Sequence, residues 1–172
     1  TYLFFKLFGV KIEYKKTIFS REEVKHIIKE SGETGELADG EHKLLHKIFE
    51  FNDKLSKEIM VPRERIIAID ADIGREEIMR IVTEENYTRY PIYRQCIDNI
   101  IGVIHAKAII NMIANNPLFI LEDLIIEPYF VSEDKKISTI FTEFQQKGLH
   151  IAIVKDAQGA VSGLIEIKDI LK

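Results

Sequence analysis

Cysteine occurs once, at Cys96, so the chain can close no internal disulfide and cannot build a cysteine-rich metal site. Long apolar runs are missing too: none approaches the ~18–20 residues that a membrane-spanning helix needs. No signal-peptide pattern is present. There is no excess of positive charge. A net charge of −4 offers no basic field to nucleic acid, which is therefore not expected as a partner. Serines and histidines occur, but nothing in their placing sets a nucleophile beside a base, so no enzyme and no catalytic residue is expected. His42 and His46 stand four apart on a predicted helix, which is metal-ligand spacing. They lack the glutamate that directly follows the first histidine in a zinc protease helix. Solvated or partner-facing histidines are the simpler reading, and no metal site is predicted. Pore formation finds no support, since neither a long amphipathic insertion helix nor alternating barrel strands can be found.

What is present is a repeat. Gly163-Leu164-Ile165-Glu166-Ile167-Lys168-Asp169-Ile170-Leu171 echoes Gly102-Val103-Ile104-His105-Ala106-Lys107-Ala108-Ile109-Ile110, 61 positions earlier. Each copy reads as a glycine, a short apolar strand and the first turn of a helix. Tyr90–Arg94 matches Ile151–Lys155 at the same offset. Upstream, Ile78 matches Ile140 and Ala68 matches Phe130 at offset 62. One extra residue between helix and strand explains the change. An internal duplication governs the choice of fold.

With 172 residues, 46% of them hydrophobic and 30% charged, the chain has a globular composition and the size of one large domain or two small ones. Ser20 and Glu23 form a predicted capping box, with Phe19 as a staple, before a helix carrying Val24, Ile27 and Ile28. A second helix is predicted from about Asp39, with Leu44, Leu45, Ile48 and Phe49 as its apolar stripe. A short third one is predicted to end before Pro62. The first repeat then predicts strand Ile66–Ile69, a helix from Gly74, strand Tyr90–Tyr93, a turn at Gln95–Asp98, a strand from Asn99 and a closing helix. Asn115-Asn116-Pro117 reads as a linker. The second repeat predicts strand Tyr129–Val131, a helix closed by Gly148, two strands joined at Asp156–Gly159, and a helix from Glu166. Each unit is thus βαββα. A single unit of about 50 residues buries too little surface to be stable alone. Two copies packed sheet to sheet remove that difficulty and leave clefts between them. The fold class is α+β. Thr1–Thr17 mixes apolar residues with lysines; it reads either as a terminal helix on the core or as the cytosolic end of a membrane segment. The chain starts without methionine and stops inside a predicted helix, which reads as an excised piece of a longer protein.

The repeat resembles the cystathionine-β-synthase-type (CBS) domain, found in tandem as a Bateman module. More narrowly, the chain resembles the CorC/HlyC-type hemolysin-like proteins and their cyclin-M relatives. The residues that carry this are Glu58-Ile59-Met60-Val61-Pro62-Arg63, Thr88-Arg89-Tyr90-Pro91-Ile92-Tyr93, Asp98-Asn99-Ile100-Ile101-Gly102-Val103, Phe144-Gln145 with His150–Val154, and Gly163-Leu164-Ile165 with Asp169-Ile170-Leu171. The resemblance divides the chain into a juxtamembrane helical connector (1–57), a first CBS repeat (58–116) and a second (117–172). It implies a regulatory module on the cytosolic face of the cell membrane, itself soluble. The module would serve a magnesium or cobalt transporter or efflux protein and form a homodimer. A membrane domain before it and a small domain after it would belong to the parent chain. The transported ion is not legible here, because the membrane domain would hold that answer.

The resemblance also implies an adenine nucleotide (AMP, ADP or ATP) between the repeats, with any Mg²⁺ held by the phosphates rather than by protein, and no covalent cofactor. The family places Gly-x-x-Ser/Thr-x-x-Asp at the strand-to-helix turn. The hydroxyl residue touches phosphate and the aspartate takes the ribose. The first copy has His105 and Ala108 in those places and so lacks the ribose acceptor. The second has Asp169, but Glu166 replaces the hydroxyl residue. A carboxylate there repels phosphate, although it also complements the helix dipole. Arg89, in the loop before the Tyr90–Tyr93 strand, could offset Glu166; Pro91 would shape that loop, Tyr90 is counted among the nucleotide-binding residues, Ile67 and Ala68 match the base slot, and His150 stands where the second copy matches Arg89. The competing reading keeps a dimerising, coupling module whose sites have decayed, motivated by Glu166, His105 and Ala108.

Overall fold

A computed structural model describes residues 19–34, 38–115 and 120–172. Thr1–Thr17, and Asn116 and Pro117 of the predicted linker, lie outside the described residues. The chain forms two compact units, one ending at Phe49 and the other beginning at Glu50.

In the first unit, α1 (Arg21–Glu33) opens with the predicted box: the Glu23 N–H donates to Ser20 Oγ at 3.2 Å and the Ser20 N–H to Glu23 Oε2 at 2.6 Å. Phe19 and Val24, the expected staple pair, are both exposed. The helix α2 (Asp39–Asp53) starts in this unit and runs into the next. The His42 ring lies against Gly32, where a side chain would collide with it.

The second unit follows the duplicated pattern. After a short α3 (Ser56–Ile59) and β1 (Val61–Pro62), one repeat contains β2 (Ile69–Asp70), α4 (Arg75–Glu85), β3 (Arg89–Arg94), β4 (Cys96–His105) and α5 (Ala106–Asn115). The other contains β5 (Phe130–Ser132), α6 (Ile137–Lys147), β6 (Ile151–Lys155), β7 (Val161–Glu166) and α7 (Ile167–Ile170). Both are βαββα, as the sequence predicts. Both crossover helices end on a left-handed residue, Asn86 (φ 55°) and Gly148 (φ 66°), which turns the chain back toward the sheet. The predicted strand Ile66–Ile69 forms only at its last residue. Arg63–Arg65 makes a 3₁₀ turn closed by the Ile66 N–H, and the chain stays unpaired until Ile69 meets Ile92. The predicted turn at Gln95–Asp98 is tighter than expected. Gln95 alone takes φ 69°, so Arg94 already pairs with Cys96.

Strand β6 shows how the unit is assembled. Ile151, Ala152, Ile153 and Val154 are all buried, the mark of a strand covered on both faces. Side chains alternate. Ala152 and Val154 join Ile140 and Phe144 of α6 in the core of their own repeat. Ile151 and Ile153 instead join Ile100 and Val103 of the other repeat, with Val161 and Leu164. That cluster is the sheet-to-sheet core.

The repeats also exchange leaders. β1, which precedes the first repeat, pairs antiparallel with β7 of the second (Val61↔Leu164). Ile126, which precedes the second repeat, pairs with Val103 of the first. The repeated glycines allow this. A Cβ on Gly163 would strike the Met60 thioether and stand 2.7 Å from the Val61 carbonyl oxygen. One on Gly102 would strike the Ile125 side chain and stand 2.8 Å from the Ile126 carbonyl oxygen. The buried hydroxyl of Ser56 fastens the first leader again, donating to the Ser132 carbonyl at 2.7 Å.

Candidate functional site

The exchanged leader β1 and the turn after it form one wall of a cleft between the repeats. Val61, Arg65, Ile66 and Ile67 come from this segment, Tyr87, Arg89 and Pro91 from the approach to β3 and its first residues. β7, paired beside β1, contributes Leu164 and Glu166, and α7 contributes Lys168 and Asp169. The cleft is partly open to solvent and has an internal volume of about 110 Å³, less than the roughly 300–1,000 Å³ of typical small-ligand sites. Val61, Ile66, Ile67, Pro91 and Leu164 give the cleft apolar lining, and five charged residues complete it.

The charges differ in what they touch. Glu166, its side chain 14% exposed, is met by the Lys168 ammonium at 2.7 Å. That carboxylate, chief among the causes, holds the lysine's pKa above its ordinary value. The same ammonium lies 5.8 Å above the Tyr87 ring. Asp169, 8% exposed, accepts the Glu166 N–H on Oδ2 at 3.1 Å, which secures the first turn of α7. Its Oδ1 faces Lys172 at 2.9 Å. Each carboxylate oxygen has two lone pairs, so both retain room for one more donor. Among the described residues, neither Arg65 nor Arg89 has an ion pair or a side-chain hydrogen bond. Lys168, rather than Arg89, is the cation in direct contact with the Glu166 carboxylate.

Of the residues named from sequence, the cleft brings together Ile67, Arg89, Pro91, Glu166 and Asp169. Three others stand elsewhere. Ala68 follows the wall, where the chain turns into β2. Tyr90 is fully buried and supports the cleft from behind: its hydroxyl accepts the Tyr87 N–H at 3.0 Å. Burial pushes the Tyr90 phenol up in pKa. His150 is exposed and contributes through its backbone, whose carbonyl accepts the Ile167 N–H at 3.0 Å. His105, which pairs with Arg89 across β3 and β4, has a buried Nδ1 without a partner. Burial, followed by the charges of Arg89 and Lys107, pushes its pKa down.

Sequence reasoning missed Val61, Arg65, Ile66, Tyr87, Leu164 and Lys168. For Lys168 a signal existed: Lys107 fills the same place in the first copy. For Val61 none did, because the exchange that brings it to β7 pairs residues about a hundred positions apart.

Comparison with known proteins follows the same outline. The family model described as "CBS domain" matches residues 57–115 and 121–172. The chain is 34% identical over 171 residues to the UPF0053 protein YhdP of Bacillus subtilis, covering 97% of this chain and 38% of that protein. It is 30% identical over 154 residues to the magnesium and cobalt efflux protein CorC of Vibrio cholerae, covering 88% and 53%. The chain therefore spans about half the length of these relatives, or less. Among solved structures, the CBS domain of a bacterial CNNM/CorC family Mg²⁺ transporter in complex with an inhibitor superposes with a TM-score of 0.78 at 31% identity, over 88% of this chain and 94% of that one. A structure of such a domain in complex with ATP gives 0.72 at 30% identity, over 77% and 94%. A CBS-domain pair with bound AMP from Klebsiella pneumoniae gives 0.62 at 30% identity, over 69% and 96%.

Proposed function

Since the chain belongs to the CBS-domain family, as a tandem pair whose relatives are CorC- and hemolysin C-type proteins, we propose that it is the regulatory module of a membrane divalent-cation transporter or efflux protein. The module binds an adenine nucleotide in the cleft between its repeats and works as a homodimer on the cytosolic side of the membrane. It regulates and does not catalyse. The observation that carries this is the pairing of Arg65 and Arg89, both without an anionic partner among the described residues, with an apolar lining in a single cleft. Two free guanidinium groups suit a phosphate. Ile66, Ile67 and Val61 suit a flat base. Asp169 offers an acceptor for ribose hydroxyls. The solved relatives that hold ATP and AMP support the same reading. Any Mg²⁺ rides on the phosphates, because the two acids of the cleft already engage Lys168 and Lys172.

Calorimetry with AMP, ADP and ATP, with and without Mg²⁺, tests the proposal. A ligand at 100 times its Kd stabilises a protein by about 2.7 kcal/mol, so melting should rise visibly. Absence of heat and of thermal shift at millimolar nucleotide overturns it. The engagement of both Asp169 oxygens favours the second reading, a coupling module whose sites have decayed, and that null result would establish it in place of the first.

A further inference from the structure

Glu166 poses a difficulty for any anionic ligand, and the structure contains the answer to it. The carboxylate sits in the wall of the cleft, mostly shielded from water, where its field reaches any phosphate brought to Arg65 and Arg89. Arg89 is on the same cleft and is free of other partners. Left alone, Glu166 would repel the ligand and compete with it for the cleft's arginines. Lys168 prevents both. Its ammonium reaches Glu166 at 2.7 Å, its side chain is 56% exposed, and it lies over the Tyr87 ring.

We infer that Lys168 decides whether this cleft accepts a phosphorylated ligand, by neutralising Glu166 so that both arginines remain available to the phosphate. The inference rests on the nucleotide reading and deepens it. Lys168 is a specificity-determining residue in this account: it sets the charge the ligand may carry, while the apolar lining receives the base regardless.

The test measures binding of adenosine, AMP and ATP by calorimetry to the wild type, K168M, E166Q and the double variant E166Q/K168M. Methionine keeps an unbranched, flexible side chain of similar length and removes the charge. K168M should bind AMP and ATP at least ~10-fold more weakly, with ATP the more affected, while adenosine changes by less than about twofold. E166Q should bind the nucleotides as well as the wild type or better. Adding K168M to E166Q should then cost little, because the charge to be neutralised is gone, so the two substitutions are non-additive. K168M binding AMP and ATP like the wild type overturns the inference alone. So does a double variant as weak as K168M, which would mean that Lys168 acts on the ligand without Glu166. A wild type that binds none of the three compounds overturns the nucleotide reading, and this inference with it.

Discussion

Arg63 grips Asp98 with both arms of its guanidinium, and both side chains also bond the backbone of Val161. One arm of Arg63 donates to the Val161 carbonyl at 2.7 Å, while the Val161 N–H donates to Asp98 at 2.8 Å. Asp98 belongs to the first repeat and Val161 to the second, so this three-way contact joins the hairpin of one to the sheet of the other. The Arg63 bond and then the Val161 N–H hold the Asp98 carboxyl down to about 2. An unfolded aspartate titrates near ~3.9. A depressed folded pKa gives stability that is complete above the unfolded value and is lost as pH falls toward the folded one. D98N should therefore melt below the wild type at pH 7, and the gap should close between about pH 4 and pH 2. Melting curves across that range check it. A gap that stays constant with pH would mean that shape rather than charge is at work.

Gly163 and Gly102 should not tolerate alanine. Overpacking a filled interior costs about 1–3 kcal/mol, and urea denaturation of G163A and G102A should show a loss in that range. Removing the Met60 side chain as well should not rescue G163A, because the Val61 carbonyl oxygen remains 2.7 Å from the new methyl group.

Much of this architecture was legible in the chain. The repeated glycine, apolar strand and helix start gave both βαββα units, because periodicity and turn chemistry are local signals. The reason for those glycines was not legible. It lies in leaders that cross to the other copy, and no local pattern records a partner so distant. The cleft was read in the same divided way. The repeat located the strand-to-helix turn, and the resemblance assigned Glu166, Asp169, Arg89 and Ile67 to the cleft. Tyr90 could not be separated from its neighbours, since a buried tyrosine and a ligand-facing one look alike in sequence. The resemblance named Arg89 as a counterweight to Glu166; the cation in contact with that carboxylate is Lys168, two positions on at the start of α7, which the resemblance did not name.

Tyr90→Phe should destabilise by about 1–3 kcal/mol, the cost of leaving a buried polar group unmatched. The Tyr87 N–H loses its acceptor, and the Val82 carbonyl loses a longer bond of 3.4 Å. Because Tyr87 lines the cleft, amide hydrogen exchange at Tyr87 should accelerate in Y90F under conditions where the protein stays folded.

Arg89→Met should weaken AMP binding by roughly tenfold, in keeping with the loss of a charge-assisted bond. R65M should do the same to a smaller extent, since Arg65 is more exposed and better screened. The wild type should lose affinity as salt is raised, and R89M should show a shallower dependence. Titrations at two ionic strengths measure both effects, and an unchanged slope would remove Arg89 from the phosphate.

The exchange of leaders bears on how this protein can fail. In each half, the strand that carries the repeated glycine is completed by a segment that folds with the opposite half. If one half opens while the other stays closed, an unpaired strand edge is left beside Gly102 or Gly163, with apolar residues on both sides. Such an edge accepts any strand that reaches it, including the same leader from another molecule. Misassembly of this chain should therefore begin as a swap of leaders between copies.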